Sequence, residues 1–435
     1  MTRGVESVNV RVDEPVEVAR QLAAPLSRRG FVSRGIALVG LGSVLPAAFV
    51  RAVFAEGTPP GVTSKRRALV VVQLGGGNDG LNTLVPYTDG AYYDARPRLA
   101  VKPETALHLS PTIGLHPEMT GLKALYDSGQ VGIVQGVGYP NPNRSHFRSM
   151  EIWHTASMAE HTSTGWLGRL LDATRFEQKQ AWRAVNIGSA LAESLTSQAS
   201  FVPALTSIPT YTLNTDPRAR GQGDRRVTDW VRLFAQQAAY GGALAMVSET
   251  GTKAYQSTVD LRREIGSYQP LANYPGTALA TALRTSAELI TSNLGTGICY
   301  VSTGGFDSHS GQDNTQPALL RAVSEAVSAF YADLAARGMD QDVLTVMWTE
   351  FGRRVKENGS TGTDHGTATP LFVIGGGVTG GLYGETPSLR NLDGNGDLKH
   401  STDFRSVYAT VLEQWFATDP KDVLGGSFPA LPLFA

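Results

Sequence analysis

The run VLTVMWTEFGRRVKENGSTGTDHG, residues 343–366, begins as an unbroken apolar stretch, VLTVMW. It ends in two polar clusters, Thr349-Glu350-Phe351-Gly352-Arg353-Arg354 and Thr363-Asp364-His365-Gly366. A second strand-like run, LFVI at 371–374, follows at once. A short apolar strand that delivers carboxylate, arginine and histidine at its C-terminal end is how open α/β sheets build ligand sites.

Three other apolar runs end in the same way. ALVVVQL at 68–74 leads into GGGNDGLN, which carries Asp79. The spacing is not GxGxxG, so a dinucleotide reading is weak. Asp79 alone is equally a turn or helix-capping aspartate. VGIVQGV at 131–137 leads into GYPNPNRSHFRS, where the prolines and asparagines enforce a loop and a helical pattern begins at Ser145. Ser145 is either a plain cap or a nucleophile at a helix N-terminus, where the dipole and free N–H groups favour an anion. Arg144 and Arg148 flank it. ICYVS at 298–302 leads into GGFDSHSGQ, and the Asp307-x-His309 pair suits a divalent metal. A local Asp–His hydrogen bond in a turn is the competing reading.

Helical patterns separate these runs, at about 117–127 and 317–337. Strand, helix, strand implies a parallel sheet. The expected fold is α/β, a mainly parallel central sheet with helices on both faces, over residues 68–435. The segment 87–109 reads as surface loop. Residues 189–216 are rich in Ser, Thr and Pro without clear periodicity, 227–265 and 277–294 read as helical, and 189–295 as a whole reads as an insertion, a candidate cap over the site.

The N-terminus reads differently. Ser27-Arg28-Arg29-Gly30-Phe31-Val32 precedes a short apolar run and small residues near position 55. This describes a secretory signal at 1–55, with the arginine pair pointing to the twin-arginine export machinery. Residues 56–67 read as a linker. The expected location is periplasmic, cell-envelope or extracellular, with no stable membrane span after processing. Formal net charge is −1, which gives no argument for nucleic acid. The single cysteine, Cys299, lies in an apolar run, cannot form an internal disulfide and reads as core.

Asp79, Ser145, Asp307 with His309, and Glu350 with Asp364 and His365 thus fall at strand ends of one sheet. Such a set could hold two divalent ions, activate Ser145 or a water and stabilise a leaving oxygen. Arg353, Arg144 or Arg148 could then hold the remaining oxygens of a phosphoryl or sulfuryl group. No GxSxG elbow is present, which disfavours a standard α/β-hydrolase.

The runs LVVVQLGGGNDGLNTLVPY, NRSHF, GGFDSHSGQ and TEFGRRVKENGSTGTDHG with PLFVIGGGV resemble a family of twin-arginine-exported bacterial proteins. That family carries a domain-of-unknown-function label and is related to the alkaline phosphatase and sulfatase superfamily. The resemblance implies an alkaline-phosphatase-like fold and an exported hydrolase of phosphate or sulfate esters. The implied cofactor is a divalent metal, zinc, manganese or calcium, and the implied substrate a small-molecule or glycan ester. It matches Asp79 to an early metal-binding aspartate, Ser145 to the nucleophile, Asp307 to a later metal aspartate and His365 to a late histidine. Gly311 stands where that pattern has a histidine, with His309 as a substitute, and Glu350-Phe351 stands where it has Asp-His. A second register makes Asp364-His365 the Asp-His pair and His400 the late histidine. The competing expectation is a catalytically degenerate relative that binds an anionic glycan or a protein partner.

Overall fold

The computed structural model describes residues 67–174, 181–213, 223–237 and 242–434. The expected export signal, and the linker up to residue 66, lie outside these. In chain order the elements are β1 (Ala68–Leu74), α1 (Gly80–Thr83), β2 (Leu84–Val85), α2 (Gly90–Ala95), β3 (Leu107–His108), β4 (Gly114–Leu115), α3 (Thr120–Asp127), β5 (Val131–Gly138), α4 (His146–Thr155) and α5 (Trp166–Ala173). There follow β6 (Ala184–Ile187), β7 (Ala204–Leu205), α6 (Gly223–Gln237), α7 (Gly242–Glu264), α8 (Ala278–Thr291), β8 (Ile298–Thr303), α9 (Gln312–Ala336), β9 (Val343–Trp348), β10 (Thr369–Gly375), β11 (Gly381–Tyr383), β12 (Thr402–Asp403), α10 (Phe404–Thr410) and α11 (Pro420–Leu424).

The central sheet runs β11-β5-β10-β9-β1-β8-β6-β7, with β12 also paired to β5. β1 sits in the middle, parallel to β8 (Val70 opposite Cys299) and to β9 (Val71 opposite Val346). Every residue of β1 is buried, as expected for a strand covered on both faces. Its side chains alternate between two cores. Val70 and Val72 pack with Leu283 of α8 and Phe330 of α9. Leu69 and Val71 pack with Trp153 of α4, Leu167 of α5 and Tyr408 of α10. Helices therefore cover both faces of a mostly parallel sheet, as the strand–helix alternation predicts.

One strand departs from the parallel expectation. β10 is antiparallel to both β5 and β9. No helix lies between β9 and β10, and a parallel return needs a crossover that this loop does not provide. The loop instead folds back across the sheet edge where β1, β5, β8 and β9 all end. Within the segment expected as an inserted cap, β7 extends the sheet and α8 is core, with Leu279, Leu283 and Leu289 buried. α6 and α7 lie together, Trp230 against Phe234 and both beside Gly251. The segment read as surface loop, 87–109, contains α2 and a fully buried Arg96. Among the described residues no helix is long and apolar enough to cross a membrane.

Candidate metal centre

The loops that leave β1, β8 and β9 pack closely because the first is glycine-rich. Gly76 and Gly77 have φ of 118° and 71°, in the left-handed region that favours glycine. A Cβ on Gly76 would lie 2.4 Å from the Asp307 backbone nitrogen, and one on Gly77 would lie 2.3 Å from the Phe351 ring. Any side chain there would drive the loops apart.

At this meeting point His146, Asp307 and His365 each present a ligand atom, all within 4.8 Å of one another. His146 opens α4, Asp307 follows β8, and His365 lies on the loop between β9 and β10. His309 joins them, its Nε2 being 3.0 Å from His365 Nε2 and 3.1 Å from Asp307 Oδ1.

The hydrogen bonds behind the imidazoles set their tautomers. His146 Nδ1 lies 2.7 Å from Glu350 Oε1. His365 Nδ1 lies 2.8 Å from the Arg144 carbonyl. His309 Nδ1 lies 3.2 Å from Asp364 Oδ1. Carboxylate and carbonyl oxygens only accept, so each Nδ1 carries the proton and donates it. The three Nε2 atoms face the Asp307 carboxylate, at 3.2 Å for His365, 3.1 Å for His309 and 3.5 Å for His146. Burial holds the His365 imidazole below its ordinary pKa, against the opposing pull of its bonds to Arg144 and Asp307. That favours the neutral ring over an imidazolium. The His146 Nε2 atom is buried with no hydrogen-bond partner, 3.5 Å from Asp307 Oδ2.

Partial burial pushes the Asp307 carboxyl up, but Arg353 and the neighbouring imidazoles outweigh it and hold the pKa at about 2. It is therefore an anion at any physiological pH. Three imidazole Nε2 atoms and a carboxylate converge here. Such a donor set fits a divalent cation, two histidines and a carboxylate being a familiar open-sided set for zinc, manganese or iron.

The sequence-predicted residues fall into three groups. Asp307, His309 and His365 come together, with Asp364 behind His309. Glu350 adjoins the cluster but stands behind His146. It is 1 % exposed, and its Oε1 also accepts the Gly76 N–H at 2.8 Å, so it orients a ligand and does not face the centre. Asp79 lies elsewhere. Its Oδ2 binds Arg96 and Gln312 at 2.5 Å each, and its Oδ1 caps α1 through the Leu81 N–H. Both oxygens are thus engaged by groups inside the protein. Asp79, expected as a metal ligand, is seen here in a buried ion pair with Arg96 and at the cap of α1.

The two arginines expected to hold substrate oxygens are likewise engaged within the protein. Arg353 is buried, donating to the carbonyls of Gly76, Gly77, Phe306 and Thr363 and, at 2.7 Å, to Asp307 Oδ1. It staples the three loops and has no free face for substrate oxygens. Arg144 is held by Asp397 and Asp393. Its contribution to the centre is its carbonyl. Ser145 is the N-cap residue of α4, exposed, with no side-chain capping bond. Its hydroxyl is available, one residue before His146.

His146 is the member of this cluster that the sequence reading passed over. Its signal was its helical spacing to Ser149 and Trp153, both buried, which places it on the inward face.

A family model described as "Protein of unknown function (DUF1501)" matches residues 130–426. No curated protein matches the chain. Solved structures are similar to the chain at low identity, three among them as follows. The C-terminal periplasmic domain of EcEptC from Escherichia coli, in complex with zinc, shares 8 % identity over 71 % of this chain and 72 % of its own, with a TM-score of 0.36. A protein in the alkaline phosphatase superfamily from Vibrio parahaemolyticus shares 10 % identity over 84 % and 71 %, with a TM-score of 0.39. The PsFucS1 sulfatase from Pseudoalteromonas sp. shares 11 % identity over 89 % and 74 %, with a TM-score of 0.38. At these scores and identities the likeness decides neither substrate nor mechanism.

Proposed function

The chain belongs to the DUF1501 family, and from its site we propose that it is an exported, metal-dependent hydrolase of phosphate or sulfate esters. The observation that carries this reading is the convergence of the His146, His309 and His365 Nε2 atoms on the Asp307 carboxylate. His146, Asp307 and His365 would hold one divalent cation, with zinc and manganese fitting the nitrogen-rich donors better than calcium. When bound, such a cation supplies Lewis-acid polarisation of a phosphoryl or sulfuryl oxygen.

The chain's own residues supply the rest. Ser145 is the nucleophile, its hydroxyl unengaged at the start of a ten-residue helix. The free N–H groups of the first turn of α4 face the negative charge that builds on the transferred group. Arg353 and Glu350 keep Asp307 and His146 in place. The N-terminal segment 1–55 directs the chain through the twin-arginine machinery to the periplasm, envelope or exterior.

Metal analysis with phosphatase and sulfatase assays of wild type and Ser145→Ala tests the proposal. Turnover that needs both the metal and Ser145 supports it. Wild type with neither bound metal nor turnover overturns it. The second reading, an anionic-ligand or partner-binding site without catalysis, is favoured by the sequestration of Asp79, which leaves one ion's ligand set where two were expected. Metal-loaded wild type that binds an anionic glycan and turns over no ester would support it.

A further inference from the structure

A cavity beside the metal centre has no part in the bond cleavage itself. Its volume is ≈ 250 Å³, and Pro140, Asn141, Asn143, Arg148, Ile152 and Met158 line it. One wall is the loop from β5 into α4, and that loop also holds the candidate chemistry. Asn143 Oδ1 accepts the Ser145 backbone N–H at 2.8 Å. The next carbonyl, of Arg144, receives the His365 Nδ1–H at 2.8 Å. Cavity and metal centre are thus both built against the loop between β5 and α4.

The lining mixes polar and apolar side chains. No carboxylate lines it. The one cation, Arg148, is paired with Glu151 at 2.6 Å and also donates to the Met158 carbonyl at 2.6 Å. What remains is the two asparagine side chains, with the Asn143 amide group still free to donate, opposite an apolar floor of Pro140, Ile152 and Met158. Asn141 is held at a φ of 54°, a conformation asparagine tolerates better than most side chains. Carboxamides opposite aliphatic surface match a sugar ring, which presents hydroxyls at its edge and C–H groups on its face. The volume falls below the roughly 300–1,000 Å³ of pockets for drug-sized ligands, so it suits one ring and not a chain.

Building on the ester-hydrolase reading, we propose that this cavity is the subsite for a neutral sugar unit that forms the alcohol part of the ester. Asn141 and Asn143 bond its hydroxyls, and Ile152 and Met158 support its apolar face.

Saturation-transfer NMR on the purified chain, with methyl glucopyranoside, methyl N-acetylglucosaminide, myo-inositol and glycerol as probes, tests this without requiring turnover. At least one pyranoside should bind in the millimolar range. Binding should weaken at least tenfold in Met158→Trp, which fills the cavity. The same loss is expected in Asn141→Gly, which keeps the left-handed backbone and removes the carboxamide. If Met158→Trp misfolds, Asn141→Gly decides. The proposal is overturned if no probe binds wild type, or if binding persists in the folded variants. Pyranoside binding that the variants abolish, in a protein that turns over no ester, upholds the subsite and counts against the hydrolase reading.

Discussion

His146 Nδ1 lies 2.7 Å from a Glu350 oxygen that is closed off from solvent, and this contact turns the His146 Nε2 toward Asp307. A carboxylate behind a ligating imidazole fixes its tautomer and raises its basicity. Glu350→Gln keeps the shape and removes the charge. It should weaken zinc affinity by about 10- to 100-fold, the usual effect of losing such a partner. Competition against a chromophoric chelator measures this, with far-UV circular dichroism to verify folding. Unchanged affinity would place Glu350 outside the metal's support.

Ser145→Ala should abolish ester turnover and leave metal binding intact. The stability cost should be small. N-cap serines usually contribute about 1 kcal/mol through a side-chain bond to the helix, and Ser145 makes none. A denaturant midpoint close to that of wild type, together with lost turnover, is the expected pair of results.

Asp79 and Arg96 form a fully buried pair at 2.5 Å, and Arg96 also holds the carbonyls of Arg354 and Val355. Removing one partner leaves an uncompensated buried charge. Arg96→Met should therefore destabilise the fold by roughly 3–5 kcal/mol. Asp79→Asn should destabilise it too, and the metal bound per folded chain should not change in either variant. Urea unfolding and metal analysis of the folded fraction check both statements. Loss of one ion in Asp79→Asn would restore Asp79 as a ligand.

His154 is buried against Tyr300 and Trp348, and burial pushes its pKa down to about 4. In the unfolded chain the value is about 6.5. The unfolded state therefore binds the proton first as pH falls, and folding stability declines between pH 6.5 and 4. The loss is on the order of 3 kcal/mol for His154, complete below the folded value and absent above the unfolded one. His116 is shifted in the same direction, to about 4, by burial. His154→Gln should thus remove about half of the decline that these two histidines produce in this window. Unfolding titrations at stepped pH measure the slope.

The legible parts of the fold were those written in local pattern. β1, β5, β8 and β9 are continuous apolar runs of strand length, and the polar residues at their ends were visible with them. Asp307, His309 and His365 could be named because residue type and strand-end position agree. What the sequence hid was long-range. Asp79 is neutralised by Arg96, which sits in a stretch that reads as irregular loop. Arg353 looks like a substrate arginine until its donors are seen bound to four carbonyls and Asp307. β10 reads as any buried strand, and its direction follows from a connection with no helix. His146 was overlooked because Ser145 offered the more familiar chemistry one residue earlier.

The most direct test is the metal content of the purified chain, stripped with chelator and titrated with zinc or manganese by calorimetry. The account predicts one ion per chain in wild type, lost in His146→Ala and His365→Ala and retained in Asp79→Asn. Failure of wild type to bind either ion, or undiminished binding by His146→Ala, would contradict it.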